Sequence, residues 1–284
     1  GGGSGGGVSS IVAGTGITIS PVGGTGAVTV NNSTGTWATL GNVSNSNGPT
    51  EVALGQNAGT GQGTNGIAIG AGAGATTQSN DSVAVGYNAG NDTQGQYSVA
   101  VGLFAGETTQ GSDAVAVGPN AGASNQGEGG TGVGTFAGAT GQGANATAIG
   151  SRSGGANQGA NAVSVGYFAG ASDQGTDAVA VGGNAAADTQ GTYAVAVGSF
   201  AGTLNQGIAA IAIGYQAAQA TQGVGAIAIG AGTAGTNQGG NSIAIGSTTA
   251  SVNQGDDAIA IGRGAGTSDQ GANSIAIGLE AATS

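Results

Sequence analysis

Residues 194–214 read AVAVGSFAGTLNQGIAAIAIG. A four-residue phrase, apolar-Ala-apolar-Gly, occurs in it twice, as Val195–Gly198 and as Ile211–Gly214, so the closing glycines lie sixteen positions apart. Alternation of this kind reads as a short β-strand with its two large apolar side chains on one face. With the closing glycine as position 0, the phrase recurs at fifteen anchors from Gly55 to Gly278. All thirteen intervals from Gly70 onward repeat the same sixteen-position step, and the first, from Gly55 to Gly70, is one position shorter. Other columns keep the register. Position −1 is always Leu, Ile or Val, position −3 is Ile or Val except at Thr131 and Thr147, and position +3 is nearly always Ala. Position −8 is Gln before every anchor from Gly70 on, and a Gly follows that Gln everywhere except at Ser79.

One strand plus Gly-, Asn- and Asp-rich turns fills the whole repeat, which is too short for a helical hairpin. It fits one coil of a β-solenoid, each coil stacking on the last. The expected fold class is therefore all-β: a β-solenoid or parallel β-roll of about 15 coils over residues 51–284. Rungs about 4.8 Å apart make it a rod of roughly 65–70 Å. Stacking explains the columns. Ile on Ile and Val on Val form an apolar seam, represented by Val99, Val101, Val115, Val117, Val179, Val181, Ile211, Ile213, Ile243, Ile245, Ile275 and Ile277. Gln on Gln forms an amide ladder through Gln94, Gln110, Gln126, Gln142, Gln158, Gln174, Gln190, Gln206, Gln222, Gln238, Gln254 and Gln270. Charge is scarce because a repeated charge would face its own copy one rung away. Two buried Ile or Val side chains per coil recover less free energy than ordering the backbone of the coil costs, so sharing the seam among several chains is expected, as a homotrimer.

Composition narrows the function. The 284 residues include 66 Gly, only 5% charged residues, and no Cys, His or Met. Three Pro and no G-X-Y phase exclude collagen. The regular period and the Val, Ile and Ala content exclude simple disorder. A net charge of −11, with Arg152 and Arg263 the only basic residues, excludes nucleic-acid binding and docking on an anionic membrane. No apolar run is long enough for a spanning helix.

Catalysis has little to stand on. His, Cys and Lys are missing and the carboxylates are scattered, so no enzyme is read here. Gly70–Gly74 mimics part of a phosphate loop but lacks its Lys and a following helix pattern. Asp81, Asp113, Asp177 and Asp257 share position −5 with Asn and Tyr. That column reads either as solvated turns or as a calcium ladder, and no GGxGxD repeat supports calcium. The expected cofactor is none. Thr at position −9 is too irregular for an ice-binding array. The four Phe residues, Phe104, Phe136, Phe168 and Phe200, all stand at position +2 on every second coil, with Asn88, Asn120, Arg152 and Asn184 on the coils between. Duplication of a two-coil unit explains the spacing, with Phe covering a groove beside the next strand. An exposed row facing a partner or glycan is the sharper reading.

Asn241–Gly246 and Asn273–Gly278, both NSIAIG, resemble the repeat of YadA-type heads in trimeric autotransporter adhesins, with related repeats in phage and large-virus fibre proteins. The resemblance covers residues 52–284. It implies a trimer of left-handed parallel β-rolls with the two Ile columns facing the trimer core. The coil here is longer than the family's usual one, by an added Gln-Gly corner, and no coiled-coil stalk or membrane anchor is matched.

The N-terminal part differs. Gly1–Gly7 reads as a flexible linker. Residues 8–50 read as a short β module and cap, with strands expected at Ile17–Ile19 and Ala27–Val30 and with Trp37 covering the open edge of the solenoid. The sequence expectation is a rod or adhesive segment of a surface fibre, extracellular on a cell or virion. Its partners would be its own copies and a cell-surface glycan or protein. A self-assembling extracellular filament is the alternative.

Overall fold

The computed structural model describes residues 17–20, 29–32 and 51–283. The Gly1–Gly7 linker and Trp37 fall outside the described residues. Of the N-terminal module, the strands Ile17–Ser20 and Thr29–Asn32 are described, and they pair antiparallel.

From Glu51 on, the chain is an all-β parallel solenoid with about 14 turns, against the expected 15 coils, because fifteen successive strands bound fourteen turns, and there is no helix among the described residues. Each phrase is a three-residue strand, and fifteen of them form one continuous parallel sheet. Like meets like along it: Val83 pairs with Val99 and Val99 with Val115. The shorter first interval is absorbed without loss of register, Val52 pairing with Ile67. A second, interrupted ladder runs along the opposite side. It passes through Thr77–Gln78, Thr93–Gln94 and Thr109–Gln110, then Thr140–Gln142, Ala156–Gln158 and Ser172–Gln174, and later Thr236–Gln238 and Val252–Gln254. Single bridges between glutamines join these pieces.

The interior between the two ladders differs from the sequence expectation. The column that fills it is alanine. Ala84, Ala100, Ala116, Ala196 and Ala212 at position −2, and Ala89, Ala105, Ala121, Ala201 and Ala217 at position +3, are fully buried. Val99, Val101, Val115, Val117, Val179, Val181, Ile211, Ile213, Ile243, Ile245, Ile275 and Ile277 do stack in register, but every one is half-buried or exposed on the outer face of the sheet. The coil's own core is therefore not built from them, which corrects the expectation of two buried Ile or Val side chains within each coil but not that of a seam open to other chains. The reason is width. A Cβ placed on Gly74 would collide with Gln78 Oε1, and one on Gly132 would stand 2.9 Å from the Ala137 carbonyl oxygen. Beside the glutamines that cross it, the gap between the ladders is filled by small side chains, mostly Ala with an occasional Gly, Ser or Thr.

The glutamines share that interior and are almost fully buried. An unpaired buried amide is costly, and here the coil supplies partners. Gln126 Nε2 donates to the carbonyl oxygens of Val115 at 2.9 Å and Gly130 at 3.1 Å, and to Gln142 Oε1 on the next rung at 3.0 Å. Each such amide ties the second ladder to the main sheet across the core. Side-chain links run from Gln110 to Gln158, from Gln174 to Gln206 and from Gln222 to Gln270. Between Gln158 and Gln174 the chain of amides passes through Ser164, which replaces the usual Ala: Gln158 Nε2 donates to its Oγ at 3.2 Å, and that hydroxyl donates to Gln174 Oε1 at 2.6 Å. Among the described residues, Oε1 of Gln78, Gln94, Gln110 and Gln222 has no hydrogen-bond partner.

Candidate functional surfaces

Since the interior is closed, the sites available to a partner are the outer columns. The first is the sheet's outer face, two apolar side chains per rung except at Thr131 and Thr147, where one of the two is Thr. Ile69, Ile149, Ile213 and Ile229 are 36–42% exposed there.

The second is a set of corners in the left-handed backbone region. Position −5 adopts it at Asp81, Asp113, Asp177 and Asp257, as do the Asn residues of the same column. Asn and Asp tolerate this conformation best among residues with a side chain, which explains their recurrence. Amides on one rung serve carboxylates on the next: Asn65 Nδ2 donates to Asp81 Oδ1 at 2.8 Å, Asn161 to Asp177 at 3.0 Å and Asn241 to Asp257 at 3.3 Å. Position −9 repeats the device, Asn157 to Asp173 at 2.9 Å and Asn253 to Asp269 at 2.8 Å. The nearest of the four position −5 carboxylates, Asp81 and Asp113, are two rungs or roughly 10 Å apart, too far for one cation to bridge. Among the described residues no three carboxylates gather as a metal site would need. A groove of about 470 Å³ runs past Asn237, Asn253 and Asp269 and is widely open to solvent.

The third is the aromatic row. Phe104, Phe136, Phe168 and Phe200 stand at corners with φ of 54–59°, in the same left-handed region. Phe136 is 40% exposed and the other three are half-buried. Position +1 adds exposed Tyr87, Leu103, Tyr167 and Tyr215. Tyr87 packs edge-on to Phe104 with centroids 5.4 Å apart, and Tyr167 edge-on to Phe168 at 4.5 Å. Between Phe136 and Phe168 stands Arg152, its Cζ 5.8 Å from one ring centroid and 5.1 Å from the other. The sequence places Arg152 between two Phe rungs in one column, so this contact was legible there once the column was read as stacked neighbours.

The family model for the YadA head domain repeat, which spans two copies, matches residues 62–89, 158–185, 174–201 and 254–281. The chain thus carries YadA-type head repeats at several places along the solenoid. Repeats and fold of this kind are structural and adhesive rather than enzymatic. No curated protein and no solved structure matches the chain. No helix among the described residues is long and apolar enough to cross a membrane.

Proposed function

We propose that this chain, in which YadA head repeats recur, is the rigid rod of an extracellular surface fibre serving attachment, and that it works as a homotrimer with the Ile/Val faces of three copies packed together. The observation that carries this reading is the outer face of the fifteen-stranded sheet. Three-residue strands about 10 Å long, stacked over roughly 70 Å, present an apolar stripe on the order of 700 Å². That exceeds the roughly 300–600 Å² of the largest patch on a typical monomer. The residues that provide large apolar volume thus point away from the coil, while its own core is alanine. YadA heads form homotrimers in general, which supports the same arrangement.

The mechanism is mechanical. Nearest-neighbour stacking stiffens the rod without a large core, and three copies of any weak flank site would act together. Such a fibre would stand on a cell or virion surface and hold its contacts away from it. Light scattering on the purified chain tests the assembly: a mass three times the 25.8 kDa of one chain is expected. A monomer at micromolar concentration would overturn it, and indefinite filaments in negative stain would favour a self-assembling polymer instead.

A further inference from the structure

Arg152 is unusual on this surface. The chain carries −11 net charge and two cationic side chains. Arg263 meets Glu280 at 3.7 Å, while Arg152 has no carboxylate partner at salt-bridge distance among the described residues. Its contacts are the Phe136 and Phe168 rings on the rungs before and after. A ring attracts a guanidinium through its π face and takes none of its five N–H donors in a conventional hydrogen bond, so the fork that recognises a carboxylate stays available. Exposed Tyr167 borders the cluster and adds a phenolic hydroxyl beside an apolar ring.

We infer that Arg152, Phe136, Phe168 and Tyr167 form a docking site for a carboxylate-bearing saccharide. Charge complementarity selects the acid: on an acidic rod this is the one described cation free to meet an anion. Size selects a sugar. Phe136 and Phe168 lie two rungs, about 10 Å, apart, which suits one or two pyranose rings and falls far short of the roughly 800 Å² per partner of a stable protein interface. The Phe rings hold Arg152 in place, and exposed Tyr167 beside them offers an apolar ring to the C–H groups of a pyranose and a hydroxyl to its polar edge. The rings already confine the Arg152 side chain, so less of its freedom is lost on binding.

This inference deepens the attachment reading and rests on it, yet the two fail separately. Sugar binding is measured by saturation-transfer NMR and calorimetry on the whole chain. The probes are 3′-sialyllactose, a hyaluronan tetrasaccharide, and lactose as the neutral control. One or both acidic probes should bind better than lactose. Which acidic probe binds identifies the sugar as a sialic or a uronic acid. Arg152→Gln should weaken binding about tenfold and Arg152→Lys less, while Arg263→Gln should leave it unchanged. Phe168→Ala should also weaken it. Thermal unfolding of each variant separates lost binding from lost folding. Acidic probes no better than lactose, or an Arg152→Gln variant that binds like the parent, would overturn the site while leaving the rod intact. An Arg152→Gln variant that lowers the oligomeric state would also overturn it and assign the cluster to a second copy of the chain.

Discussion

At Gly102 the backbone has φ of 136°, and an added Cβ would lie 2.6 Å from the carbonyl oxygen of Gly118, the same anchor one rung on. Two separate constraints therefore select glycine there, an unfavourable backbone region and contact between successive coils. Gly102→Ala is expected to cost about 2–4 kcal/mol in chemical denaturation, from strain and overlap together. Gly183, where an added Cβ would meet only the Ser199 Oγ at 3.9 Å and where φ is not left-handed, is the contrast, and Gly183→Ala should be neutral or stabilise by up to about 1 kcal/mol. The glutamine column gives a second test at this scale. Gln142→Leu removes one of the three acceptors of Gln126 Nε2 and leaves the carbonyl oxygens of Thr131 and Ala146 and the Oε1 of Gln158 without its amide. A loss of about 1–3 kcal/mol is expected, read as an earlier midpoint in urea. The spacing of the glutamines was plain in the sequence, but their depth was not. A polar residue recurring beside Gly suggests a turn or an outward stripe. Only the closeness of the two ladders makes that side chain span the core and bond the far sheet.

A three-residue strand has two faces, and the sequence pattern alone says which residues share one without saying which one is inside. The usual rule sends the larger apolar side chains inward. Here the rule fails because the glutamines already span so short a coil and leave small side chains to fill what remains, so the alanine of Val195-Ala196-Val197 faces in and the valines face out. The near-constant Ala at −2, broken only by Gly132 and Ser164, was the available signal, overshadowed by the more conspicuous Ile and Val columns. The two faces should respond oppositely to mutation. Ala212→Leu overpacks the interior and should cost about 1–3 kcal/mol or prevent folding. Ile213→Asp combined with Ile229→Asp should leave the β-sheet circular dichroism of the chain in place while lowering its mass in light scattering, if the outer face is where copies meet. Retention of the oligomer in that double variant would place the contact elsewhere.

Over the whole molecule, the constant repeat period was enough to give the fold class and the parallel register, because a solenoid's geometry is set by nearest neighbours. What one chain's sequence left open, the assembly of several chains, is also what the exposed Ile/Val face leaves to be filled. The N-terminal strands Ile17–Ser20 and Thr29–Asn32 follow the alternation read at Ile17–Ile19 and at the latter half of Ala27–Val30. The direct measure of the stacked rod is a set of spin-label distances, made clean by the absence of native cysteine. Leu103 and residues Ser151, Ser199 and Ser247 share position +1, and Leu103→Cys is paired with each of Ser151→Cys, Ser199→Cys and Ser247→Cys in chains diluted with unlabelled protein. Three, six and nine rungs should separate the labels by about 14, 29 and 43 Å, growing linearly by about 4.8 Å per repeat. Distances that fail to grow with repeat number would contradict the stacked rod and the outer face built on it.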